Sequence, residues 1–176
     1  ARTPLLDRAD LAARADVAHL CVKDERGRMG LGSFKALGAA HAIAREAAGA
    51  GSPWETALSG RIFVTASAGN HGLSVAAGAR LFGARARVFL ASTVPESFAA
   101  RLTARGAEVV RAGATYEESM AAAERAAHQP GCTLLSDSSW PGYTDLPWRV
   151  MQGYLQLAAE AVEQIEVPPT HILLQA

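Results

Sequence analysis

The chain has 176 residues, with 17 Lys and Arg balanced by 17 Asp and Glu, a length and composition that suit one ordinary globular domain or two small lobes and exclude collagen-like, low-complexity and disordered classes. Zero net charge with both signs interspersed leaves no electrostatic footprint for nucleic acid. The apolar runs are broken by Arg, Glu or His before a membrane-spanning length and no signal pattern opens the chain, so a cytoplasmic protein without nucleic-acid or membrane partners is expected.

From the N-terminus, short runs rich in Val, Ile, Leu and Phe alternate with alanine-rich segments. That is the pattern of an α/β fold, a mostly parallel sheet with helices on both faces. Strands are expected at residues 19–22, 61–65, 87–91, 108–111, 132–135 and 171–175. Ser52-Pro53-Trp54-Glu55, Thr93-Val94-Pro95-Glu96 and Thr115-Tyr116-Glu117-Glu118 each place a hydroxyl three residues before a glutamate, so three capping boxes are expected to open helices. A longer helix over 145–165 carries Val150, Tyr154, Leu157 and Ala161 as an apolar stripe for packing on a sheet. Cys21 and Cys132 belong to no metal or redox spacing and are read as two buried free thiols. Residues 171–176 read as a strand that stops with nothing to cover its faces, from which the front part of a longer protein is expected.

Lys23 and Lys35 are the only lysines, and Lys35 stands in the apolar, glycine-punctuated stretch Gly30-Leu31-Gly32-Ser33-Phe34-Lys35-Ala36-Leu37-Gly38. A desolvated lysine can lose its proton where arginine cannot, which makes Lys35 a candidate for amine chemistry, most often a Schiff base. The same segment also suits a helical lysine whose stem covers apolar surface while its ammonium reaches water. Thr65-Ala66-Ser67-Ala68-Gly69-Asn70-His71-Gly72 falls at a strand-to-helix junction. Free N–H groups and the helix dipole there favour a carboxylate or phosphate, and an ordinary cap with close packing fits equally well. The five histidines show no metal-type spacing, so no metal is expected. P-loop, nucleophile-elbow and dinucleotide fingerprints are all missing.

Together the two motifs resemble the fold-type II pyridoxal-phosphate enzymes, the tryptophan-synthase-β-like group that includes threonine and serine dehydratases. Thr3-Pro4-Leu5, Val22-Lys23-Asp24-Glu25 with Gly32-Ser33-Phe34-Lys35, and Ser67-Ala68-Gly69-Asn70-His71 carry the resemblance. It implies pyridoxal 5'-phosphate as cofactor, Lys35 as its Schiff-base lysine, Asn70 on its phenolic oxygen, and Ser67, Ala68, Gly69, Asn70 and His71 as the loop for the substrate carboxylate. It also implies two lobes, residues 1–52 and 132–176 in a larger domain and 53–131 in a smaller mobile one. The C-terminal part, with a glycine-rich phosphate loop expected just after Ala176, is missing from this chain. A small amino-acid substrate and a homodimer complete the expectation.

Within that family, Asp137-Ser138-Ser139-Trp140-Pro141-Gly142-Tyr143, Pro147-Trp148-Arg149-Val150-Met151-Gln152-Gly153-Tyr154 and the 30–38 segment are similar to the diaminopropionate ammonia-lyases. The aromatics also suit a core around a helix start. This similarity implies elimination of ammonia from 2,3-diaminopropionate through aminoacrylate to pyruvate and a second ammonia, with Lys35 as base and Asp137 in acid/base work near Cβ. An exposed aspartate ahead of a helix is the plainer reading of Asp137. Ala68 stands where that subgroup carries an aspartate, as in the threonine-dehydratase-like form of the loop, and this puts processing of the D-enantiomer in doubt. A threonine or serine dehydratase is therefore the alternative, and a noncatalytic binding module on the same scaffold a further one, disfavoured by the presence of both Lys35 and Asn70.

Overall fold

Two short antiparallel strands, β1 (Leu5–Asp7) and β2 (Cys21–Lys23), are linked through helix α1 (Ala9–Ala15) at the start of the computed structural model, which describes residues 2–51 and 53–174. Two 3₁₀ turns over Glu25–Gly30, broken at Arg28 and Met29, lead into α2 (Lys35–Ala50). Then β3 (Ile62–Ala66), α3 (Asn70–Leu81), β4 (Arg85–Leu90), α4 (Glu96–Thr103), β5 (Ala107–Arg111), α5 (Tyr116–Ala127) and β6 (Cys132–Leu134) alternate, followed by α6 (Asp145–Gln164).

The four later strands form a parallel sheet in the order β5-β4-β3-β6, with Val64 level with Arg87 on one side and Leu134 on the other. Every residue of β3 is buried, as a central strand covered on both faces requires. Alternation along the pleat then assigns the faces. Phe63, Val88 and Leu90 join α2, α3 and α4 in the larger apolar cluster, while Ile62, Val64 and Phe89 meet Ala123 and Ala126 of α5 on the opposite face. The α/β expectation of a parallel sheet flanked by helices matches this arrangement.

Several local expectations need correction. The strand expected at 19–22 begins at Cys21 and pairs antiparallel with β1, which no apolar run announced. Residues 171–174 form no strand, and Ile172, Leu173 and Leu174 are exposed, because no neighbouring strand among the described residues offers them a ladder; Gln175 and Ala176 lie outside the described residues. The capping box at Thr115 and Glu118 forms in full. At the second site, α4 does start at Glu96, but Thr93 donates its hydroxyl to the Ala114 carbonyl instead of capping the helix. The third yields one 3₁₀ turn, Trp54–Thr56, and its Ser52 lies outside the described residues. Cys21 is exposed and Cys132 half-buried, so the two free thiols are not core residues.

The long helix covers the expected span, yet its stripe packs on α2 and not on a sheet. Glycines set the approach. A Cβ on Gly153 would stand 2.5 Å from the Leu37 carbonyl oxygen, and one on Gly38 would stand 2.7 Å from Tyr154 Cε1. Farther along, Glu160 anchors the N-terminal hairpin. Its carboxylate receives Arg28 Nη1 and Nη2 at 2.8 Å each and Lys23 Nζ at 2.8 Å, with the Thr3 N–H at 3.2 Å. Arg28 also pairs with Glu25 at 2.7 Å. The guanidinium of Arg28 holds the Glu160 carboxyl far below the usual carboxylate range against the opposing effect of burial. Among the described residues no helix is long and apolar enough to cross a membrane.

Candidate active site

Lys35 is the first residue of α2, and two serines fix that turn. Ser33 Oγ accepts the Lys35 N–H at 3.2 Å, and Ser74 Oγ of α3 donates to the Ala36 carbonyl at 3.0 Å, so the two helices meet beside the lysine. The ammonium is not surrounded by apolar groups as its sequence neighbours suggest. Nζ lies 2.5 Å from Asp137 Oδ2, with 39% of the lysine side chain and 21% of the aspartate side chain exposed. Chain folding supplies the partner from the loop after β6, 102 positions along the chain.

Asp137 sits just beyond β6 in a loop whose backbone is pinned. The Leu135 N–H continues the ladder to the Val64 carbonyl at 2.8 Å. The Tyr143 hydroxyl donates to the Leu134 carbonyl and accepts the Ser136 N–H, both at 3.0 Å, and Ser136 Oγ accepts the Ser138 N–H at 3.1 Å. Tyr143 in turn stacks on Trp140 at 4.4 Å, across a turn in which Gly142 takes φ +89. That left-handed conformation favours glycine. Asp137 is therefore half-buried and braced, not an exposed residue leading into a helix. Trp148, by contrast, is exposed and belongs to no core.

The electrostatics centre on this carboxylate. Burial raises it, but His71 and the Lys35 ammonium outweigh burial and hold it below the usual range. Tyr116, Tyr143 and Tyr154 feel the same charge: burial and Asp137 together push each phenol up, Tyr154 to about 12. They remain protonated around it.

Helix α3 brings the second motif. Ser67 Oγ accepts the N–H groups of Gly69 at 3.2 Å and Gly72 at 3.1 Å, so part of the loop caps its own helix. The N–H groups of Asn70 and His71 keep no partner among the described residues, and the Asn70 side chain is likewise uncommitted at the mouth of the helix. The His71 imidazole turns inward, 2% exposed, with Nε2 2.9 Å from the Leu135 oxygen and Nδ1 3.9 Å from Asp137 Oδ2. Burial lowers its basicity against the pull of Asp137.

Lys35, His71 and Asp137 thus converge, while Ser67, Ala68, Gly69 and Asn70 line the adjoining helix entrance. The bracing role of Tyr143, the inward His71 and the nearby Tyr116 escaped the sequence reading. Only the Pro141-Gly142 turn signal hinted at the first of these.

The family model described as pyridoxal-phosphate dependent enzyme matches residues 1–176. A diaminopropionate ammonia-lyase of Salmonella typhimurium is 34% identical over 192 residues, covering 99% of this chain and 48% of that protein. Two crystal structures of the Escherichia coli diaminopropionate ammonia-lyase superpose with a TM-score of 0.90 each. One holds D-serine (34% identity) and the other an aminoacrylate-PLP azomethine reaction intermediate (36%), and each match covers 100% of this chain and 48% of that one. The chain spans about half the length of the curated relatives it matches.

Proposed function

Because the chain belongs to the family of pyridoxal-phosphate dependent enzymes, we propose that it carries the lysine-bearing half of a lyase that converts 2,3-diaminopropionate and water to pyruvate and two ammonia. The observation that carries this reading is the Lys35–Asp137 pair at 2.5 Å beside the entrance of α3, in a chain similar over its length to ammonia-lyases of that substrate.

The groups present suit the cofactor: a half-exposed primary amine, the uncommitted Asn70 amide, and N–H groups at the start of a twelve-residue helix. Lys35 and Asn70 would hold it. Bound pyridoxal 5'-phosphate supplies an electron-withdrawing ring that acidifies the Cα–H of an attached amino acid. Lys35, once displaced by the substrate amine, takes that proton as base. The β-amino group departs as ammonia and so requires a proton donor near Cβ, a task that falls to Asp137. Residues 67–71 bind the substrate carboxylate, with the N–H groups of Asn70 and His71 and the dipole of α3 orienting it. Ala68 offers no carboxylate, which favours the L-enantiomer. The same reading divides the chain into a larger part (1–52 and 132–176) and a smaller, mobile part (53–131).

Ala68 also supports a second reading, a threonine or serine dehydratase. The discriminating experiment measures α-keto acid release by the full-length gene product with added cofactor from L- and D-2,3-diaminopropionate, L-serine and L-threonine. Pyruvate mainly from L-diaminopropionate is expected. Turnover mainly of the hydroxy amino acids favours the dehydratase, and no release from any of them refutes both.

A further inference from the structure

The His71 imidazole is the one part of the 67–71 loop that the reaction outlined above leaves unused. Its Nε2 faces the Leu135 carbonyl oxygen at 2.9 Å. A carbonyl oxygen only accepts, so Nε2 carries the ring proton. The ring is buried, and burial disfavours a second proton on it. Nδ1 is therefore a bare acceptor, without a hydrogen-bond partner among the described residues. It stands 3.9 Å from Asp137 Oδ2, the oxygen that Lys35 Nζ approaches to 2.5 Å. Two acceptors face each other across a gap too long for a hydrogen bond, and the buried nitrogen is satisfied only when a proton arrives on the oxygen opposite.

We propose that His71 is a positioning residue for Asp137, its Nδ1 receiving the Asp137 O–H whenever that carboxyl holds a proton. The carboxyl must hold one before it can act as the acid near Cβ; in that respect the inference rests on the function proposed above. Lys35 of α2 and His71 of α3 approach the Asp137 carboxylate, and Tyr116 of α5, Tyr143 of the loop and Tyr154 of α6 feel its charge. Lys35 is the cation among them. The phenols keep their protons, which leaves Nδ1 as the basic acceptor.

Nitrogen-15 spectroscopy of the histidine-labelled, cofactor-free full-length gene product tests this. The wild type is expected to show a protonated Nε2 and a bare Nδ1 at neutral pH, and the opposite tautomer would overturn the proposal without any variant. In Lys35→Met, Asp137 takes its proton from solvent, and the Nδ1 resonance should move upfield as pH falls from about 8 to about 5, the range in which histidine environments report such changes. In Lys35→Met/Asp137→Ala that displacement should be lost. Equal displacement in both variants would be the imidazole's own titration and overturns the proposal, as does no displacement in Lys35→Met. Neither cofactor nor substrate is in the sample, so these outcomes are separate from those of the keto-acid assay.

Discussion

Lys35 Nζ and Asp137 Oδ2 stand 2.5 Å apart although 102 positions separate the two residues in the chain. The lysine is delivered by the first turn of α2 and the aspartate by the loop after β6, so the pair reports whether the sheet and its helices are correctly assembled. Asn in place of Asp137 keeps the shape and removes the charge. Pyruvate release from L-2,3-diaminopropionate by the full-length gene product should fall by roughly 10²–10⁴-fold, the usual loss for an acid/base group. The thermal midpoint should barely change, since a partly exposed ion pair contributes only about 0–1 kcal/mol.

Tyr143→Phe deletes the hydroxyl that closes the Leu134–Ser136 loop. Ser136 is 1% exposed, so its N–H is left buried without its acceptor. Urea denaturation should register a loss of about 1–3 kcal/mol. Turnover should fall as well, because Asp137 is the next residue; unchanged kinetics in a destabilised variant would show that the brace serves stability alone.

Glu160 satisfies two buried cations, Lys23 and Arg28, whose side chains are 10% and 3% exposed. Truncation to Ala takes this carboxylate from both, although Arg28 keeps Glu25 and Lys23 keeps the Thr3 carbonyl, and should cost up to roughly 3–5 kcal/mol in denaturant titrations. The pH dependence has a definite sign. The folded carboxyl lies below its ordinary 4.5, so the unfolded chain binds a proton first as pH falls. Its stabilisation is full above about pH 4.5 and is lost progressively toward the lowered value. Glu160→Gln should show a flatter stability profile across that acid range than the wild type.

Gly153→Ala introduces a methyl group aimed at the Leu37 carbonyl oxygen, 2.5 Å away, and at Gly38 Cα, 3.0 Å away. Backbone cannot swing aside as a long side chain can, so α2 and α6 must separate. Overpacking of this kind costs about 1–3 kcal/mol. A matched Gly49→Ala substitution on the same helix pair, where the added methyl meets nothing within 4 Å, should be neutral or stabilising in the same melting experiment.

The alternating strands and helices were legible because burial on a sheet face imposes a period of two and burial on a helix face a period near 3.6, and both are local properties of the chain. Lys35 and the 67–72 motif were legible for a similar reason: a lone lysine among glycines and a serine-glycine junction are unusual within a few residues of sequence. What the sequence by itself determined was thus the run of β3 to α6, the Thr115 capping box and the residue types available for chemistry. Nothing local announced that Asp137 neutralises Lys35, that His71 turns inward to Leu135, or that Glu160 gathers Thr3, Lys23 and Arg28. Those relations join residues far apart in the chain, and each exists because desolvated charges and buried polar groups must find partners wherever the fold brings them. The same is true of the stripe on α6, whose period predicted a buried face but not its counterpart. Only the close approach allowed by Gly38 and Gly153 decided that this face meets a helix and not a sheet.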